Sequence, residues 1–451
     1  MITLEKQTTM RLYFLPLFIF LFSLSIYGQS KSDNIIELPV EINEGYGPFK
    51  PIAARVNLGS REDEGNPWKN VYIKAKGVPE EWVYVRHGNI DIDIYQLVYQ
   101  SFHSGKITPD FYNQITHIWD WTPDSDRLSK KPVKSTIAVV SGIDPTGQKV
   151  MIVDRNNNND FSDDAVIVTD IVNIDEGLDD ETVLKNMFSI SYERLQDNKV
   201  VEKSANLSVF ETNTGMYFFS FPQYGTATLD GYTIVFFGGF SSLGYKETYI
   251  ALLRENNLDA KGKIWQAGEV LIDGEYIQVG SLVYQNKGYD SNKNVLRLKR
   301  MGTPANETPA TQLGFKAVDF EAEELTTKKA LSLERYKGKY LFLDFWAVWC
   351  VPCIKELPKL KALYDRADKS KVEIIGIVSE STIELVQKMR DEFGITYPTI
   401  YDNNENSITK NYNISSFPAT FFIDPEGVII AKNFKSEDLE YKLRELNLIT
   451  E

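Results

Sequence analysis

Seven residues late in the chain, Tyr340–Trp346, form a run that is apolar except for one carboxylate, Asp344. A run without polar alternation has no side to offer water, so as a strand it must be covered on both faces. Helices supply that cover in parallel and mixed sheets. The residues that follow fit this demand. A helix is expected from Cys350, a second apolar strand over 372–378, and a helix over 383–393. A hairpin follows, from 419–424 through the turn 425–427 to 428–431, and then a last helix over 436–446. Residues 314–451 therefore read as an α/β domain with a mixed central sheet flanked by helices.

The 451-residue chain contains two cysteines, Cys350 and Cys353, three positions apart. As a staple such a pair closes almost no loop and gains little. A zinc site would need two further ligands, and the three histidines, His87, His103 and His117, all lie far upstream. Reactivity is the use that remains. The pair sits where the apolar strand feeds a helix, whose unpaired N–H groups and positive dipole end stabilise a thiolate. Cys350, at the helix start, is the expected nucleophile. Cys353, one turn on and more buried, is placed to attack a mixed disulfide. Beyond the redox-active disulfide of these two residues, the chemistry needs no cofactor.

The stretch from Asp344 to Cys353 resembles the active-site strand and helix of thioredoxins. With the lead-in over 314–320, the Lys337-Gly338-Lys339 motif and the longer spacing afterwards, residues 314–451 are similar to the TlpA/ResA-like branch of exported thiol–disulfide oxidoreductases. Val318 departs from that pattern, which usually carries proline there. The resemblance implies a thioredoxin fold, and it implies roles. Asp344 matches the buried carboxylate that shuttles the proton of the second thiol. Glu356 matches the acidic residue near the active site of ResA-like proteins. Either could act as general base for Cys353, since a desolvated carboxylate has a raised pKa. Asp344, on the buried strand, is favoured, and a solvated helix face accounts for Glu356 equally well. Pro358 matches a helix-kinking proline. Phe417 and Pro418 match the cis-proline loop opposite the thiols, whose backbone pairs with substrate. Trp349 is expected to shield the site and Trp346 to lie in the core.

Upstream, residues 29–301 read as β-rich, with 24 Tyr and 25 Phe in the whole chain. Short β-branched or aromatic segments recur at 82–85, 136–140, 150–153, 216–221, 233–237 and 281–284. Helices are expected over 91–104 and 110–119, and a break near 170–180 suggests two subdomains. Residues 302–313, rich in Pro, Thr and Ala, read as a linker. Within the β-rich region Asp154, Asn156, Asn158 and Asp160, followed by Asp163 and Asp164, resemble a calcium loop. Asn159 stands where glycine is usual. Ala165 stands where the bidentate glutamate belongs, so Asp164 would have to serve. A polar hairpin turn explains the same residues equally well, and calcium, if bound, would be structural.

At the N-terminus Lys6 and Arg11 precede an apolar run over 12–27, then Gly28 and Gln29. This is the pattern of a secretory signal peptide, residues 1–28. The run falls short of the roughly 20 residues that span a bilayer. Membrane association is expected only if the segment is retained as an anchor. A net charge of −14 argues against a nucleic-acid partner. The expectation is an exported, periplasmic enzyme that reduces protein disulfides and draws on a redox partner in the cell envelope. The alternatives are a ligand- or partner-binding sensor with a secondary redox domain, and a thiol peroxidase.

Overall fold

The computed structural model describes residues 34–450 apart from 60–64, 73, 126, 174–177, 197, 239–242, 244–247, 254–269 and 404. The expected signal peptide, 1–28, lies outside the described residues. Among those described, no helix is long and apolar enough to cross a membrane.

The N-terminal region is built from largely antiparallel sheets that pack in pairs. One sheet orders Asn57–Leu58, Val83–Asp91, Thr136–Ile143, Lys149–Val153 and Val166–Ile167. Its inner side chains, Ile90, Ile137, Val139 and Met151, meet Ile190, Leu207 and Val209 from the hairpin Met187–Gln196 and Lys199–Thr212. A second pair of sheets closes over Leu38, Ile234, Phe236, Tyr284 and Leu298. The first strands, Ile35–Pro39 and Glu41–Glu44, belong to this second pair together with strands from Gln223–Leu229 to Val295–Arg300. The chain therefore passes between the two sandwiches around 221–222, not at 170–180. The hairpin after the expected break still needs the sheet before it as its cover. The two expected helices are Ile94–His103 and Pro109–Ile118, capped by Asp93 and Thr108 and joined by stacked Phe102 and Tyr112.

The C-terminal domain comprises β1 (Tyr340–Trp346), α1 (Val351–Arg366), β2 (Val372–Val378), α2 (Ile383–Phe393), β3 (Thr399–Tyr401), β4 (Ala419–Ile423), β5 (Ile429–Lys432) and α3 (Ser436–Glu445). The sheet order is β3-β2-β1-β4-β5. β1 runs parallel to β2 and antiparallel to β4. The sheet is thus mixed, with the apolar run at its centre. Alternation along β1 sends Phe342 and Trp346 into one core with Leu357, Leu360 and Leu443 of the helices. Leu341, Leu343 and Phe345 enter the other, with Tyr412 and Phe421. Each such side chain stabilises the fold by about 1.5–3 kcal/mol through burial.

Residues 302–313, read as a linker, are a packed connection. Gln312 uses its side-chain amide as a strand would use its backbone. It accepts from Tyr276 N at 2.7 Å and donates to Tyr276 O at 2.8 Å. Ala310 and Phe315 then pack with Val283. Beyond Gly314 the chain pairs with β5, through Gly314 N to Ile429 O and Ile429 N to Phe315 O, both at 2.8–2.9 Å. This covers an otherwise open sheet edge.

Candidate active site

At the end of β1 the chain turns through Ala347–Trp349 and starts α1 with Cys350 as N-cap. Cys350 and Cys353 are joined by a disulfide, S–S 1.99 Å. The cap is made by sulfur, since the Cys353 N–H donates to Cys350 Sγ at 3.2 Å. Pro352 occupies the first turn, where its missing N–H leaves no bond unmade. A sulfur at this point gains as an anion from an amide already directed at it. Burial does not separate the two cysteines as the sequence suggested. In the disulfide state Cys350 is 3% exposed and Cys353 2%.

Asp344 lies below, on β1, 4% exposed. It faces the same core as Trp346 because the two are two residues apart on one strand. Burial, and behind it the charge of Glu356, push its carboxyl up to about 7. Glu356 sits one turn past Cys353 and is differently placed. Its Oε2 accepts from the Ser436 N–H at 2.9 Å and from the Ser436 hydroxyl at 2.6 Å, and its Oε1 pairs with Lys359 at 3.1 Å. Burial pushes Glu356 up, but Ser436 and Lys359 together outweigh it and hold the carboxyl below its usual range. Glu356 therefore ties α1 to the start of α3 and supplies a fixed negative charge. Pro358 lies inside α1.

The rim of the site is aromatic. Trp349 is 58% exposed, and its ring meets Phe417 edge-on at a centroid distance of 5.8 Å. The Phe417–Pro418 peptide is cis and Pro418 is exposed. Trp346 is fully buried. Sequence reasoning missed three neighbours. Ser381 Oγ accepts from Val348 N at 3.1 Å and so holds the loop before the disulfide. Ser436 is the anchor for Glu356. Tyr397, from the residues leading into β3, is fully buried in the same core as the disulfide. An aromatic-proline pair ahead of a short strand was the only trace of it in the sequence.

The acidic loop lies in the N-terminal region and closes on itself. Asp154 Oδ1 accepts from Asn158 N at 3.0 Å, and Oδ2 accepts from Asn159 N at 2.8 Å. The side-chain amides of Asn156 and Asn158 turn their N–H groups toward Asp163, both at 2.9 Å. Asp160 binds Ser162 and Lys76, and Asp164 Oδ1 accepts from Arg155 N at 3.1 Å. Among the described residues, no three His, Cys, Asp or Glu side chains converge to hold a metal ion.

The AhpC/TSA family model matches residues 313–432. The thiol-disulfide oxidoreductase ResA of Geobacillus kaustophilus is 35% identical over 144 residues, which cover 31% of this chain and 81% of that protein. The thioredoxin-like protein YneN of Bacillus subtilis is 37% identical over 120 residues, 26% of this chain and 69% of that protein. Among solved structures, the thioredoxin domain of a thiol-disulfide oxidoreductase from Bacteroides vulgatus shares 26% identity at a TM-score of 0.28, over 30% of this chain and 96% of its own. Likeness at 35% identity that spans 81% of a relative's length is shared descent: through its C-terminal domain this chain belongs to the ResA-like thiol–disulfide oxidoreductases.

Proposed function

We propose that the protein is exported and reduces disulfides of other proteins in the periplasm. The single observation that carries this reading is the sulfur cap on α1, with Asp344 buried beneath it. Cys350 as thiolate attacks a substrate disulfide. One substrate sulfur bonds to Cys350 Sγ, and the other leaves as a thiolate. Cys353 then gives its thiol proton to the Asp344 carboxylate, and the resulting thiolate displaces the remaining substrate sulfur. Two electrons end on the substrate. The Cys350–Cys353 disulfide left behind is re-reduced by a dithiol partner in the envelope. Trp349, Phe417 and Pro418 form the rim against which the substrate strand lies. Family likeness to ResA supports the reducing direction.

A Cys353→Ala variant of the full chain tests this. It should accumulate substrates as mixed disulfides on Cys350, and the added change Cys350→Ser should abolish them. Absence of trapped protein in cells that contain the partner proteins would refute the reading. The match to the AhpC/TSA model favours a second one, a thiol peroxidase. That reading requires peroxide consumption well above that of free cysteine. No such consumption is expected, because attack by Cys350 is directed at sulfur.

A further inference from the structure

The core beneath the disulfide holds two donors that no described residue accepts. Tyr397 and Trp346 are both fully buried, and among the described residues neither Tyr397 Oη nor Trp346 Nε1 has a hydrogen-bond partner. A buried donor left unpaired costs on the order of 1–3 kcal/mol. Such a group asks for an explanation, and a role in the chemistry is one of the few available.

Their position supplies it. Both crowd Gly376 of β2. A Cβ at that residue would come within 3.1 Å of Trp346 Nε1 and 3.2 Å of Tyr397 Cε2. Gly376 is the residue paired with Asp344 across the β1–β2 register. Paired residues on neighbouring strands share a face at a spacing of about 4.8 Å. The glycine thus leaves room for the indole N–H and the phenol ring on the face that carries the Asp344 side chain, where any larger residue would push them off, and the Asp344 charge reaches the Tyr397 phenol. The charged and titratable groups around Tyr397 come from four elements. They are Asp344 on β1, Cys350 and Cys353 at the start of α1 with Tyr364 farther along it, Arg390 on α2, and Glu324, which holds Arg390 at 3.2 Å. Burial first, then the charge of Asp344, keep the Tyr397 phenol well above its usual value, so it stays a donor at any working pH.

We propose that Tyr397, with Trp346, is a positioning pair for the resolving step, donating to the Asp344 carboxylate directly or across one buried water while that carboxylate awaits the Cys353 proton. This rests on the reading of Asp344 as proton acceptor. In the step the Cys353 S–H bond breaks and an Asp344 O–H bond forms. No electrons move until the Cys353 thiolate displaces the substrate sulfur from Cys350. Once Asp344 is neutral, the two donors are released. Disulfide closed and donors unpaired is the arrangement seen here, the state that follows the step.

The test uses the reduced full-length protein mixed with an aromatic disulfide that releases thionitrobenzoate. The second release reports attack by Cys353 on the mixed disulfide. In Tyr397→Phe the pH inflection of that second phase should move up by about one unit, a tenfold loss of carboxylate below it. Thermal stability of the oxidised protein should be unchanged or higher, since in that state the hydroxyl removed has no partner among the described residues. In an Asp344→Asn background, Tyr397→Phe should shift nothing. The pairing is overturned if Tyr397→Phe keeps the wild-type inflection while Asp344→Asn loses it, or if the Tyr397→Phe shift persists without Asp344. If Asp344→Asn itself keeps the inflection, the underlying reading of Asp344 fails and takes the pairing with it.

Discussion

Asp154 in the N-terminal sandwich and Asp344 in the thioredoxin-like domain are both buried, and burial pushes both carboxyls up. What surrounds them differs. Backbone N–H groups of Asn158 and Asn159 are aimed at the two oxygens of Asp154 and offset much of its burial. Among the described residues no hydrogen bond offsets the burial of Asp344, and the neighbouring charge of Glu356 adds to it. One carboxylate is fully used in closing a loop. The other is left short of partners next to a disulfide. Burial alone does not mark a working group, and neither does a missing partner, since Asp164 Oδ2 of the acidic loop also lacks one among the described residues; the two together on the strand that feeds a redox-active disulfide do.

That contrast can be broken experimentally. Cys350→Ser should lower disulfide exchange by more than about 10³-fold in a protein-disulfide reduction assay, with the fold intact, because no other thiolate is placed to attack. Asp344→Asn should slow the second thionitrobenzoate release by roughly 10²-fold at neutral pH, the usual size of a lost general base. The same variant should change the pH dependence of stability. Asp344 titrates near 7 when folded against 3.8 for the free group, so the native protein holds this proton to higher pH than the unfolded chain. Wild-type stability should therefore fall as pH rises from about 4 to about 7 and level off above, by roughly 4 kcal/mol in all. Asp344→Asn should remove that slope in denaturant titrations run across the window.

Asp154→Ala should do the opposite. It removes the acceptor of the half-buried Asn159 N–H, while the Asn158 N–H keeps Asn156 Oδ1, and should cost about 1–2 kcal/mol on denaturation, with exchange kinetics untouched. Glu356→Gln keeps an acceptor for Ser436 but loses the Lys359 ion pair and the charge behind Asp344. A stability loss of about 1 kcal/mol is expected, with a downward shift of the Asp344 inflection. The smallest effect concerns calcium. Most oxygens that a calcium ion would need, those of Asp154, Asn156, Asn158 and Asp160, already accept from loop N–H groups or from Lys76, so excess calcium should move the melting temperature by less than about 1 °C. A site filled well above its Kd would raise stability by about 3 kcal/mol, and a shift of that size would restore an ion to the loop.

The thioredoxin-like domain was legible because its signals are local. A continuous apolar run, a cysteine at a helix start and a turn between two strands each declare themselves within about ten residues. β1 ends at the predicted Trp346, and α2 spans the predicted 383–393. The sandwiches were legible only as strands. Which strand lies beside which is decided by contacts far apart in sequence, such as Ile35–Pro39 pairing with Val295–Arg300. The same limit governs the site. Glu356 could be named from its spacing to Cys353. Its attachment to Ser436, 80 residues on, could not. Tyr397 gave no signal as a functional residue, since its standing depends on Gly376 having no side chain and on Asp344 facing that gap.

The most direct measurement is a titration of the Asp344 carboxyl itself, following its carbon chemical shift in the oxidised protein, with Asp344→Asn for assignment. A midpoint near 7, with no thiol present to confuse it, is the predicted result. A midpoint near the ordinary aspartate value, about 4, would mean the carboxylate is already well solvated or paired, and the proton route from Cys353 would be lost with it.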